Sequence, residues 1–397
     1  LAILVPLILT PLNYELFEYN KMMLTYGITA VIVCAWVSKM IVQKRIFVAR
    51  TPFDIPIGLF VLSQLVSTLF SMDPIVSWMG YYSRFNGGMF SILCYILLFY
   101  SYVTNIKKEF GGKLVFSVLG SGTIVSIYGV LQHMGIDKHV WVQDVQARVF
   151  STLGQPNWLA AYLVALLPVV IALAVIYITR PKRFVIKVVL STLLFLTLLY
   201  TRSRSGLIAF FVIDAIFWGL LLIKKIQWKH IQTPFVVIHL FVALSLFTTG
   251  IGVPTIDKWI SIDGIRNQLI KSPMQAQPIL QTSGPVLETG GTESGIIRKY
   301  VWQGAINAWR ATPKNMLIGT GTETFAFAFY QNKPIGHNLT SEWDFLYNKA
   351  HNEYLNFLTT TGIFGLGSYL VLIGSILYWV IGYAKKTALY IQVKKQP

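Results

Sequence analysis

The residues able to do chemistry are few. Four arginines and one histidine stand out in a chain poor in charge: Arg148, Arg202, Arg204, Arg298 and His351. Guanidinium forks match pairs of phosphate oxygens through parallel hydrogen bonds, and their charge never titrates away. A histidine, with an ordinary pKa of about 6.5, can take a proton from an attacking hydroxyl, an effect worth about 10²–10⁴-fold in rate. One base and several arginines around a departing diphosphate suffice for metal-free group transfer, because so good a leaving group needs no general acid. The bland reading of His351 is a helix-start residue at an interface. Residue chemistry alone leaves both readings open.

Each candidate sits in a local pattern. Arg84 lies between Trp78-Met79-Gly80-Tyr81-Tyr82 and Phe85-Asn86-Gly87-Gly88, a mix of aromatics and one arginine that suits a headgroup zone. An interface anchor is the simpler reading there, and ligand binding the alternative. Arg148 precedes Gly154-Gln155-Pro156-Asn157, where Gly and Pro break the chain and Asn157 is placed to cap the next helix. Thr201-Arg202-Ser203-Arg204-Ser205-Gly206 is a tight turn between two apolar runs. Snorkelling to lipid phosphates and a bound anion explain it equally well. Gly319-Thr320-Gly321 could cradle a phosphate through backbone N–H groups. A lone GxG without a preceding strand is a weak signal, and a membrane-surface turn is more economical.

Asp214 lies inside an apolar run, about 15 Å along a helix from Arg204. An intramembrane carboxylate is costly and points to function by default, yet a hydrogen bond between helices is the favoured reading. No metal-binding pattern is found. His351-Asn352-Glu353 places no second histidine at i+4, His337 is too loosely connected to join it, and no paired-carboxylate motif occurs. Neither a metal nor a cofactor is expected.

The elements that must position these residues are set by composition. Of 397 residues 54% are apolar and only 12% charged, about half the soluble average of about 25%. Mean hydropathy is +0.59. In lipid only helices or closed barrels satisfy their own backbone, and long continuous apolar runs favour helices. A net charge of +17 would suggest nucleic acid in a soluble chain. Here membrane topology accounts for it, and nucleic acid is not an expected partner. Cys34 and Cys94 lie in apolar runs and read as small core residues. Leu1 opens inside a hydrophobic stretch, which points to a trimmed N-terminus.

About ten spans are expected: 1–12, 22–42, 54–71, 88–104, 112–131, 156–179, 184–200, 205–223, 234–252 and 354–383. Alternate connections carry 17 Lys and Arg, at 44–50, 107–113, 180–187, 224–229 and 385–395. The opposite short connections carry six: Lys21, Arg84, Lys138, Arg148, Arg202 and Arg204. The positive-inside rule places the first set in the cytoplasm and the long polar loop outside. Three regions follow: an N-terminal transmembrane region over 1–252, an extracytoplasmic loop over 253–350 and a C-terminal membrane segment over 351–397. Within the loop, 271–295 is rich in Gly, Pro, Ser, Thr and Gln and reads as flexible. Residues 296–311 read as a helix with Ile297, Tyr300, Val301, Ala305, Ala308 and Trp309 on one stripe, Arg298 off it, and Thr312-Pro313 as its stop.

The run Lys349-Ala350-His351-Asn352-Glu353-Tyr354-Leu355-Asn356…Thr361-Gly362-Ile363-Phe364-Gly365 resembles a signature of the O-antigen ligase-related family. That family includes O-antigen ligases, O-antigen polymerases and pilin O-oligosaccharyltransferases. Thr201–Gly206, Arg298…Trp302…Pro313…Gly319-Thr320-Gly321 and Arg148…Pro156-Asn157 resemble its other motifs, in the right order over 148–367. The resemblance implies a polytopic all-α fold of the membrane glycosyltransferase (GT-C-like) type, with about 10–12 spans. It also implies metal-independent transfer of a glycan from undecaprenyl diphosphate to an acceptor hydroxyl, at the outer face of the bacterial inner membrane. The acceptor would be a lipid, a glycan or a protein. His351 would be the base, and Arg298 with one of Arg202 and Arg204 would bind the diphosphate. Arg148, Arg84, Asn352, Gly319 and Gly321 complete the candidate substrate-binding set. The rival is a transporter or flippase for lipid-linked sugars. It should carry charges along its spans and helix breaks in repeated halves, whereas only Asp214 lies deep and no repeat is evident.

Overall fold

The computed structural model describes residues 1–12, 14–223, 228–269 and 294–393. The stretch expected to be flexible, 271–295, lies outside the described residues except for its last two positions, as do Lys224, Lys225, Lys394 and Lys395. Among the described residues there are sixteen α-helices, three short 3-10 turns and no strand. The chain is an all-α, polytopic membrane protein.

Among the described residues, seven helices are long and apolar enough to cross a membrane: Glu18–Val42, Gly111–His133, Pro156–Ile176, Pro181–Tyr200, Arg204–Ile223, Ile231–Thr249 and Glu353–Tyr383. Asp54–Leu69 and Met89–Asn105 are apolar and shorter. These nine answer nine of the expected spans. The tenth, 1–12, is not one helix: only Leu4–Leu7 is helical. Pro6 and Pro11 withhold amide donors, and Pro11 disfavours helical backbone at Thr10.

By contact the chain divides into two compact units, 1–21 with 107–277 and 22–106 with 278–397. In the first, Pro156–Ile176 is the central helix. It is apolar on every side, as a helix enclosed by others must be, and Leu159, Leu163, Leu167, Val170 and Ile171 are buried in the core with Leu194, Leu198 and Phe210. Its helices approach closely at small residues. A Cβ at Gly206 would lie 2.7 Å from the Cβ of Ala160, and one at Gly129 would lie 2.8 Å from Thr197. The helix opens with Pro156 at its first turn and Gln155 as N-cap, so Asn157 is not the cap expected of it. Its Oδ1 instead accepts the Ser203 hydroxyl at 2.9 Å, tying this helix to the Arg202 turn.

In the second unit, Asp54–Leu69 runs along Glu353–Val393. The Ser63 and Ser368 hydroxyls bond at 2.7 Å, and Phe60 packs edge-on to Phe357. The long C-terminal helix is broken at Gly362, whose φ of 65° and ψ of −166° are not helical. The break frees carbonyls that would otherwise close helical turns, and these must find donors. Thr359 O accepts Thr320 N at 3.1 Å, and Thr360 O accepts Gly321 N at 2.8 Å and Ser67 Oγ at 2.8 Å. Beside them the hydroxyls of Thr68 and Thr322 bond each other, and Ser77 donates to the Thr322 carbonyl at 2.7 Å. A dense cluster of serine and threonine hydroxyls therefore occupies the place where helix, turn and helix meet.

Candidate active site

His351 stands at a corner, just ahead of the helix that begins at Glu353. Its φ of 51° is left-handed, a conformation that costs a non-glycine residue about 1–3 kcal/mol and is held only by surrounding structure. Three contacts hold it. The Trp302 indole N–H donates to the Ala350 carbonyl at 3.1 Å, and the Ala350 amide lies 3.4 Å from Asn356 Oδ1. On the other side the Asn352 side chain accepts Leu355 N at 3.3 Å. That is the geometry of a helix N-cap. The Oδ1 of Asn352 thus serves the helix, and ligand binding by this residue would fall to its Nδ2 donors.

The imidazole remains open to solvent while the protein crowds one side of it. Tyr347 meets it edge-on, ring centroids 5.8 Å apart. Burial, and then the positive charge of Arg298, lower its pKa below the ordinary histidine value. Both effects disfavour the imidazolium. The shift is toward the uncharged ring, the form that accepts a proton.

Arg298 projects from Ser294–Arg310, the helix expected at 296–311. Ile297, Val301, Ala305 and Ala308 form its buried stripe, and Arg298 is exposed, as the periodicity requires. Trp302 lies one turn further on and makes the bond to Ala350, so a single helix positions both the guanidinium and the backbone before the imidazole.

An ion pair with a buried carboxylate and a partly exposed lysine fixes the same corner. The Glu323 carboxylate pairs with Lys349, two residues before His351, and lies against the α-carbon of Gly87. Side chains of any size at Gly87 would displace the carboxylate. The loop that carries Arg84, the turn after Gly321 and the stretch of chain leading to His351 are thereby joined. Breaking such a pair leaves an uncompensated buried charge, so it specifies geometry more than it stabilises. The pair, and the Tyr347 ring, escaped the sequence reading. A tyrosine four residues before a histidine, or a Glu and a Lys 26 residues apart, carries no local signal.

Gly319 and Gly321 do not form the phosphate cradle considered from sequence. The amides of Gly319, Thr320 and Gly321 donate to the carbonyls of Asn315, Thr359 and Thr360. The glycines are needed because backbone meets backbone: a Cβ on Gly319 would overlap Thr360, and one on Gly362 would overlap Leu317.

In the first unit three arginines gather around one turn. Arg148 Nε donates to the Thr201 carbonyl at 3.3 Å, and the next amide, Val149 N, donates to Tyr200 O at 3.1 Å. Arg202 has a left-handed φ of 52°, and its Nη1 reaches Thr249 O at 3.4 Å. Gly252 packs on its stem, where a Cβ would lie 2.6 Å from Cδ. Arg204 begins the helix Arg204–Ile223 and is exposed. The two arginines of the turn are thus unlike: one is seated in the fold and the other is presented. Deeper in this unit, Asp214 forms the interhelical bond favoured from sequence. Its Oδ2 lies 3.0 Å from His239 Nε2, and its Oδ1 accepts the Trp218 indole at 3.0 Å.

Residues 188–370 match a family model described as O-antigen ligase. No curated protein and no solved structure matches the chain. The matched segment takes in Arg202, Arg204, Arg298 and His351 and leaves out Arg84 and Arg148.

Proposed function

We propose, for a chain that carries the O-antigen ligase family domain at residues 188–370, the activity of a membrane glycosyltransferase acting on a lipid-linked donor. The family makes it a membrane protein of the O-antigen ligase or polymerase type. The finer reading is transfer of a glycan from undecaprenyl diphosphate to an acceptor hydroxyl. His351 takes the hydroxyl proton as the acceptor oxygen attacks the anomeric carbon. The bond from that carbon to the phosphate oxygen breaks, and its electron pair leaves on the diphosphate. Arg298, with Arg202 or Arg204, binds the diphosphate and stabilises the charge that develops on it. No metal takes part.

The observation that carries this reading is the solvent-open imidazole of His351, whose pKa is lowered by burial and by the field of the Arg298 guanidinium. The bacterial cytoplasmic-membrane location follows from the family reading, and the charge bias of the short connections supports 294–351 on the extracytoplasmic side. The test is reconstitution in liposomes with an undecaprenyl-diphosphate glycan and lipid, glycan or protein acceptors, followed by analysis of the product. A product bearing the glycan on a hydroxyl supports the proposal. Passage of the intact lipid-linked glycan across the bilayer with no transfer would replace it with the transporter reading.

A further inference from the structure

Beside the His351 corner, in the same unit, lies a cavity of about 510 Å³ that the transfer chemistry does not use. Its walls are formed by Phe329, Tyr330 and residues of the segment 333–346. This volume falls in the range of small-molecule sites. Two features distinguish it from an ordinary surface dent.

The first is what faces into it. Trp343 and Tyr330 are large aromatics left 57% and 73% exposed, and both line this one cavity. Interleaved with them are an ammonium, a carboxamide and a carboxylate, from Lys333, Asn338 and Asp344. Lys333 Nζ spends one donor on the Trp343 carbonyl at 2.8 Å, which holds the indole segment across the mouth. The side chains of Asn338 and Asp344, the Trp343 indole N–H and the Tyr330 hydroxyl take part in no hydrogen bond with the described residues. The wall therefore offers both donors and acceptors, balanced in charge, beside aromatic faces. A phosphate would want donors alone, and a lipid surface would want no carboxylate. A neutral, polyhydroxylated chain uses all of them, its C–H faces on the rings and its hydroxyls on the polar groups.

The second is where it lies. Phe329 and Phe345 line the cavity and also pack edge-on against Tyr347, at 5.6 and 5.1 Å between centroids. Tyr347 in turn meets His351 at 5.8 Å. One aromatic layer separates the cavity from the candidate base.

From these two features we infer that the cavity is a glycan subsite, holding a neutral oligosaccharide segment whose next sugar lies at His351. The inference rests on the glycosyl-transfer reading for which sugar reacts, and on the cavity alone for binding.

The probe is the free reducing oligosaccharide released by mild acid from the cell's own lipid-linked glycan. It is titrated into the detergent-solubilised full chain, and vesicles of phosphatidylethanolamine and phosphatidylglycerol serve as the comparison. Trp343→Ala and Tyr330→Ala are expected each to weaken oligosaccharide binding about tenfold, the scale of one lost aromatic contact. Both should raise KM for the glycan and leave kcat alone. Asp344→Asn, which keeps the shape and removes the charge, should weaken binding as well. All three side chains are exposed, so thermal unfolding should match wild type. Equal oligosaccharide affinity in wild type and the Trp343→Ala/Tyr330→Ala double variant would overturn the inference. So would weakened vesicle partitioning with oligosaccharide affinity unchanged, since the face would then be a lipid seat. His351→Ala separates the two claims: it should abolish transfer and keep oligosaccharide affinity. Normal turnover by that variant would end the catalytic reading and leave the binding result to decide the cavity.

Discussion

The indole N–H of Trp302 donates to the carbonyl of Ala350, one residue before His351. Trp302 is one helical turn from Arg298, so one helix carries both the guanidinium and the bond that seats the backbone before the imidazole. The pair then behaves as one electrostatic unit.

The first prediction concerns that unit. His351→Ala should lower transfer by about 10²–10⁴-fold, with the fold intact because the ring is open to solvent. The wild-type pH–rate profile should be level at neutral pH. Activity should be lost only as pH falls through the folded-state pKa, which burial and Arg298 hold below the ordinary value. Arg298→Ala removes one of those two causes, so its acid limb should move to higher pH even as its rate drops. A limb unmoved by Arg298→Ala would show that the base is another group.

Arg202 and Arg204 should separate by stability. The alanine variant of whichever arginine stabilises the leaving diphosphate should lose transfer by about 10²-fold. Arg202 also packs on Gly252 and bonds Thr249 O, so only Arg202→Ala should lower the melting temperature in detergent. Arg204→Ala with wild-type turnover would assign the diphosphate to Arg202.

Helix-break glycines should not tolerate a methyl group. Gly362→Ala meets both a positive φ and the Leu317 backbone, for a cost of at least about 1–3 kcal/mol. Gly367 has nothing within 4 Å of the added carbon, and Gly367→Ala should unfold like wild type. Thermal denaturation of the two variants decides it.

The Asp214–His239 bond should be structural. A double-mutant cycle with Asp214→Ala and His239→Ala should give a coupling of about 0.6 kcal/mol and no more than about 1.7 kcal/mol, the mean and upper limit for hydrogen bonds between membrane helices. Transfer by refolded variants should be kept. Loss of turnover without loss of stability would give this pair a role in the reaction.

Transfer should survive chelation. Purified enzyme treated with EDTA should keep its rate, since guanidinium groups carry the leaving charge in the proposed step. Inhibition by EDTA that Mg²⁺ reverses would require a metal-assisted route.

Much of this arrangement is legible in the chain, for definite reasons. Nine apolar segments announce nine helices because lipid allows a backbone no other open form. The stripe Ile297, Val301, Ala305 and Ala308 announces a helix and leaves Arg298 on its free face. The segment 1–12 misleads because hydropathy does not count the amides that Pro6 and Pro11 lack. Gly319 and Gly321 mislead because a glycine pair reads alike whether the approaching backbone belongs to a ligand or to a broken helix. The left-handed φ of His351 and of Arg202, and the Glu323–Lys349 pair, arise only from tertiary packing. No local rule encodes them.

The hydroxyl cluster at the Gly362 break also sets an order of assembly. Ser67 and Thr68 end an early, short helix, and the groups they bond in the finished protein come 293 and 254 residues later in the chain. While the ribosome works through the intervening residues, that helix end must stay near water, solvent at the membrane rim or a chaperoning channel, until Thr322 and Thr360 emerge. Maturation of this unit consequently waits for residue 360, and a chain cut short before it would leave its own early helix unfinished.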